Sequence, residues 1–135
     1  MNKKLNQELM EYAEVVLQSE NCPLFKDKEK GVIHESYNGQ VSALGVSTLM
    51  IGLKATMAVY FQDEPKQEKK AYRRCLLEVI VQMLNRKNTT SFNDANDFVH
   101  QVMMNTDATQ LEQYKSDVVN CSVALKQVIR TYKLE

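Results

Sequence analysis

Residues 111–132, LEQYKSDVVNCSVALKQVIRTY, place apolar side chains at Leu111, Tyr114, Val118, Cys121, Leu125, Val128 and Tyr132. The intervals alternate between three and four residues, which is the seam of a heptad repeat. The pattern predicts one long helix over about 108–133, started by Asp107 with Gln110 three residues on. Such a seam suits either a long coiled coil or packing inside a small bundle. The bundle is the better reading, because other parts of the chain offer matching apolar faces.

Upstream, Asn105-Thr106-Asp107 breaks the chain, and Phe98 and Val102 mark the apolar side of a helix running to Met104. Ser91 with Asp94 resembles its capping arrangement, after a loop at Asn88-Thr89-Thr90. A helix over about 66–86 ends in the apolar run LLEVIVQML, and Asp63-Glu64-Pro65 supplies its start. Residues 37–62 read as one long central helix. Its Gly45 and Gly52 share a stripe with Ser42 and Thr56, so a neighbouring helix can approach closely there; the alternative use of the glycines is a hinge. Leu5, Leu9, Tyr12, Ala13, Val16 and Leu17 predict an amphipathic helix over 3–19, ended near Pro23. Residues 24–36 form a charged connector around Gly31, with room for a short helical turn. No stretch alternates strictly between apolar and polar residues, so no strand is expected. The expected fold is all-α: a compact single-domain bundle of about five to six helices over residues 1–135, with long central and C-terminal helices.

Composition supports this. The 44% apolar and 25% charged residues are ordinary for a globular domain, and 135 residues bury a core without a metal or disulfide. Cys22, Cys75 and Cys121 lie far apart with no CxxC pair, and each reads as a small core hydrophobe. No apolar secretory core is visible near Met1, and a reducing, cytoplasmic setting is expected. Residues 41–61 are long enough to span a bilayer, but Lys54 and several hydroxyl residues argue for a buried helix instead. No membrane partner is expected.

Chemistry is sparse. His34 and His100 have no companion at metal-ligand spacing, and no phosphate loop, nucleophile elbow or HExxH motif occurs. No catalytic residue, metal or cofactor is expected. One charge feature rises above background. Lys66, Lys69, Lys70, Arg73 and Arg74 fall at i, i+3, i+4, i+7 and i+8 of the predicted helix, a cationic stripe set against its macrodipole. On charge alone, a solvated face and a face for phosphate backbone are equally good readings. Lys126, Arg130 and Lys133 make a weaker second basic face near a helix end, where cations are expected anyway. The 17 basic and 17 acidic residues cancel, which excludes coating of nucleic acid through bulk charge.

The segment 37–61, YNGQVSALGVSTLMIGLKATMAVYF, resembles the hallmark of the small helical subunit of the Cmr complex, the type III-B CRISPR RNA-guided effector. The resemblance rests on Tyr37, Ser42, Leu44-Gly45, Gly52-Leu53 and Ala58-Val59-Tyr60-Phe61. A lysine-rich helix precedes this segment, and a closing helix with Tyr114 near its start ends the chain. The resemblance implies a non-enzymatic subunit that stacks with copies of itself and with the large subunit into a minor filament. That filament would lie along the crRNA–target RNA duplex and hold it by backbone contacts without reading sequence. Cleavage would belong to other subunits. The competing reading is a helical protein–protein adaptor that docks through the Leu111–Tyr132 seam and has no nucleic-acid role.

Overall fold

The computed structural model of the chain describes residues 1–62 and 71–135. Six helices form among these residues: α1 (Lys3–Gln18), α2 (Ser36–Ile51), α3 (Leu53–Tyr60), α4 (Arg73–Asn88), α5 (Ala95–Met104) and α6 (Ala108–Ile129). The helical fold expected from the sequence is present. Helix α6 is its central post, packing on α1, α2 and α4. Val118, Cys121 and Leu125 of the seam are fully buried, and Leu9, Leu17, Leu44, Leu76, Ile80 and Phe98 close around them.

Start signals account for three helix ends. Asn2 accepts from the Leu5 amide at 2.7 Å, and Asp107 takes the Thr109 and Gln110 amides at the start of α6. Asp94 caps α5 by accepting from Asp97 N at 2.8 Å. The cap therefore falls on Asp94 and not on Ser91. Glu78 adds to that end from α4, both carboxylate oxygens lying 3.1 Å from the Ala95 amide.

Three expectations need correction. Residues 37–62 do not form one helix: Gly52, at φ 89° and ψ 169°, ends α2 and begins α3. Gly45 faces Ser122 of α6, but a Cβ there would lie 3.6 Å from that side chain, an ordinary contact, so the packing does not itself demand glycine. Gly52 has open space around its Cα, so backbone conformation alone requires glycine at that corner. Ser47 and Thr56 bridge the corner through their hydroxyls at 3.0 Å. An L-residue in this backbone region costs on the order of 1–3 kcal/mol. We expect Gly52→Ala to lower unfolding free energy by about that much, read from urea denaturation, while Gly39→Ala, an exposed helical position with nothing within 4 Å, lowers it less or raises it.

The second correction is a small sheet where no strand was expected. Strands β1 (Phe25–Asp27), β2 (Val32–Ile33) and β3 (Lys133–Leu134) pair in that order, β1–β2 antiparallel around Gly31 at φ 67° and β2–β3 parallel. The sheet plugs one end of the bundle with Leu24 and Ile33, both fully buried. Tyr132 ties it to α1, its hydroxyl donating to Glu14 Oε1 at 2.5 Å and accepting from Gln18 Nε2 at 2.8 Å. The third correction follows from this: α6 stops at Ile129, and Lys133 sits on β3 instead of a helix face.

Candidate nucleic-acid interface

Lys66, Lys69 and Lys70 of the predicted stripe lie outside the described residues. Arg73 and Arg74 open α4. Tyr72 before them is extended, at φ −97° and ψ 136°, so one helical register does not run from 66 through 74. Arg73 is exposed, with its guanidinium 5.8 Å from the Tyr60 ring centroid. Burial raises the Tyr60 phenol above its ordinary value while Arg73 pulls it down. The Tyr60 hydroxyl donates to the Gln40 carbonyl at 2.6 Å, which joins α3 to α2.

Arg74 is committed elsewhere. Its Nε donates to Gln62 O at 3.0 Å and its Nη2 to Phe61 O at 2.7 Å, while the guanidinium stacks 4.1 Å from the Phe61 ring. Carbonyls at a helix C-terminus lack intrahelical partners, and a cation there satisfies both their lone pairs and the dipole. Arg74 thus serves as the side-chain cap of α3. Two other lysines do the same work: Lys54 donates to Met103 O and Asn105 O at the end of α5, and Lys28 donates to Leu17 O and Ser19 O at the end of α1.

The weaker basic face is also dispersed. Lys126 is half-buried and donates to the Ser42 hydroxyl, fastening α6 to α2. Arg130 is exposed just past the last turn of α6. Lys133 pairs with Glu135 at 2.8 Å, both side chains well exposed, a contact of little energetic weight. The folded chain instead gathers Lys26, Lys30 and Lys133 around a shallow depression beside the sheet, together with Asp27 and Glu135. Lys133 holds the Glu135 carboxyl below its ordinary range, with Lys26 and Lys30 adding to the effect. The signal for this cluster, lysines at 26, 28 and 30, lies in the charged connector 24–36, which was not among the candidate basic faces.

Neither Cys121 nor Cys22 is an activated thiol. Burial, helped by Asp117, pushes the Cys121 thiol up to about 12, and burial also raises Cys22, the opposite of an activated nucleophile. Asp117 is buried but fully engaged, with Lys87 Nζ at 3.1 Å, Asn88 Nδ2 at 2.9 Å and Gln113 Nε2 at 3.0 Å. His34 packs edge-on to Tyr37, and burial followed by Lys26 lowers its pKa. Among the described residues no group of three His, Cys, Asp or Glu could hold a metal, and no helix is long and apolar enough to cross a membrane.

What the fold does with the 37–61 segment is specific. Tyr37, Leu44, Leu53 and Tyr60 are buried, Gly45 faces Ser122 of α6, Gly52 turns the corner and Phe61 receives Arg74. The segment is a packing signature. A family model described as CRISPR-associated protein (Cas_Cmr5) matches residues 5–132. The chain belongs to that family. It is a small subunit of the Cmr, type III-B CRISPR-associated machinery and shares the complex with other subunits. The match takes in all six helices except the first two residues of α1, so membership extends well beyond the 25-residue hallmark. No curated protein and no solved structure matches the chain.

Proposed function

We propose that the chain is a non-catalytic structural subunit that stacks, with copies of itself and with neighbouring Cmr subunits, into the minor filament along the crRNA–target RNA duplex. It contributes sequence-independent contacts to the RNA backbone, and target cleavage resides in other subunits of a cytoplasmic assembly. Family membership over residues 5–132 carries this reading. The polar chemistry of the bundle is in keeping with it: Lys54 and Arg74 cap helix ends, and the Asp117–Lys87–Asn88 network pins α6 to α4.

Lys66, Lys69, Lys70 and Arg73 remain the proposed backbone contacts, with Lys126, Arg130 and Lys133 as a secondary face. Arg74 stays in the set through the N–H donors that the Phe61 and Gln62 carbonyls leave open, but it is left unaltered in the test because its other donors cap α3. Each phosphate contact releases condensed counterions, so affinity falls with salt by roughly one log unit per decade for each contact. The test is RNA retention by the assembled complex over a salt series, with Lys66, Lys69, Lys70 and Arg73 changed together to Gln. We expect weaker retention and a shallower salt dependence, with unchanged melting of the isolated chain. Retention and assembly identical to the unaltered complex would refute the placement of the contacts at 66–73.

The adaptor alternative loses its surface. Val118, Cys121 and Leu125 are fully buried, so the centre of the seam is spent inside the bundle.

A further inference from the structure

Two of the three cysteines, remote in sequence, meet in the fold. All three are free thiols. Cys22 lies in the connection between α1 and β1, its amide donating to Ser19 O at 3.3 Å. With Glu78 and Val79 of α4 it lines a cleft of about 380 Å³ on the α1–α4 side of the bundle. Cys75 sits one turn ahead of those residues on α4, at the i, i+3, i+4 spacing that puts Cys75, Glu78 and Val79 on one face. Both thiols are half-buried against the core.

Tyr37 joins them. This residue is buried in the first turn of α2, and its phenol O–H donates to Cys75 Sγ. Cys22 is near enough to act on the same phenol, and the two cysteines act on each other. Burial, followed by Cys75, raises the Tyr37 phenol well above its ordinary value, which keeps it a hydrogen-bond donor. Cys75 is the third residue of α4 and follows Arg73 and Arg74. Amides in a helix's first turn lack intrahelical acceptors, and with the positive end of the dipole and nearby cations they favour a thiolate. Cys22 has the opposite setting: burial raises its thiol, with the Leu24 N–H and Lys28 acting against that. Cys121 is fully buried on α6.

We infer that Cys75 and Cys22 form a peroxide-sensitive thiol pair, in which Cys75 reacts first and Cys22 resolves it to a disulfide joining the end of α1 to the start of α4. The oxidant is hydrogen peroxide, small enough to reach a half-buried sulfur. The Cys75 sulfur attacks one peroxide oxygen: an S–O bond forms, the O–O bond breaks, and the thiol proton leaves with the second oxygen as water. The Cys22 sulfur then attacks the sulfenic sulfur. An S–S bond forms, the S–O bond breaks, and the hydroxyl departs with the Cys22 proton as a second water. The two sulfurs give up two electrons, which reduce the peroxide. Cys22 stands outside any helix, so it supplies the movement that disulfide geometry requires. The inference adds a modification site to the structural role proposed above and does not depend on it.

The test uses the full, reduced chain exposed to hydrogen peroxide, then alkylated with N-ethylmaleimide in denaturant and mapped by mass spectrometry. We expect loss of the Cys22 and Cys75 thiols, a Cys22–Cys75 linked peptide within a single chain, alkylated Cys121, and reversal by dithiothreitol. The melting temperature of the linked chain rises by about 5 °C or more, since the bond closes a long loop of the unfolded chain. In Cys22→Ser, dimedone traps a sulfenic acid on Cys75. In Cys75→Ser, dimedone uptake at Cys22 is at least about tenfold slower. Circular dichroism confirms that both conservative variants fold, and the linkage in the unaltered chain is read without them. Retention of all three free thiols, or linkage through Cys121 or between chains, overturns the inference. Equal dimedone uptake by the two variants overturns the assignment of Cys75 as the first to react.

Discussion

Leu125→Asp is expected to unfold the protein. Leu125 is fully buried in the C-terminal part of α6, the helix on which α1, α2 and α4 pack. A carboxylate there is removed from water with no partner, a penalty of several kcal/mol, on top of the lost apolar burial. Domains of this size have about 5–15 kcal/mol of total stability, so one such change consumes most of it. The conservative companion Leu125→Ala leaves a cavity and is expected to cost about 2–5 kcal/mol while the chain still folds. Far-ultraviolet circular dichroism and urea titration distinguish the two. A folded Leu125→Asp that had merely lost a protein partner would show that the seam is a docking surface and not the core.

Asp117→Ala has the second largest expected effect. Asp117 is 1% exposed and receives Lys87 from the end of α4 and Gln113 from one turn earlier on α6, with Asn88 completing the shell. Removing the carboxylate strands a mostly buried ammonium and two amide donors. Breaking a buried pair from one side costs about 3–5 kcal/mol, and the lower end is expected because the Lys87 side chain keeps 21% of its exposure. Asp117→Leu combined with Lys87→Met removes both charges and should be more stable than Asp117→Ala. A loss under about 1 kcal/mol for Asp117→Ala, measured by urea denaturation, would mean that the network does not secure α4 to α6.

The elements that were legible in the sequence are those that carry their own period. The alternating spacing from Leu111 onward located α6, and Asp107 with Gln110 located its start. Non-local pairing was not legible. Strands of two or three residues are too short to show alternation, and β3 joins β2 from about 100 residues away. Gly45 and Gly52 look alike on a helical wheel, yet one is a packing contact and the other a backbone corner. Only the conformation at Gly52 separates them.

The site was legible as charge and not as geometry. Five cations at helical spacing suggested one face, but the extended Tyr72 interrupts the register and Arg74 finds the open carbonyls of α3 first. Local composition cannot show that competition, because the acceptors at Phe61 and Gln62 exist only once α3 has ended. The Lys26, Lys30 and Lys133 cluster illustrates the converse: residues remote in sequence are assembled by a sheet that the sequence did not announce.

The most direct measurement is affinity purification of the tagged chain from its native host, with mass spectrometry of bound proteins and sequencing of bound RNA. The account predicts the other Cmr subunits in the eluate and CRISPR-derived guide RNAs lost progressively as salt is raised. A chain recovered without those subunits, or with them but with no guide RNA at low salt, would contradict it.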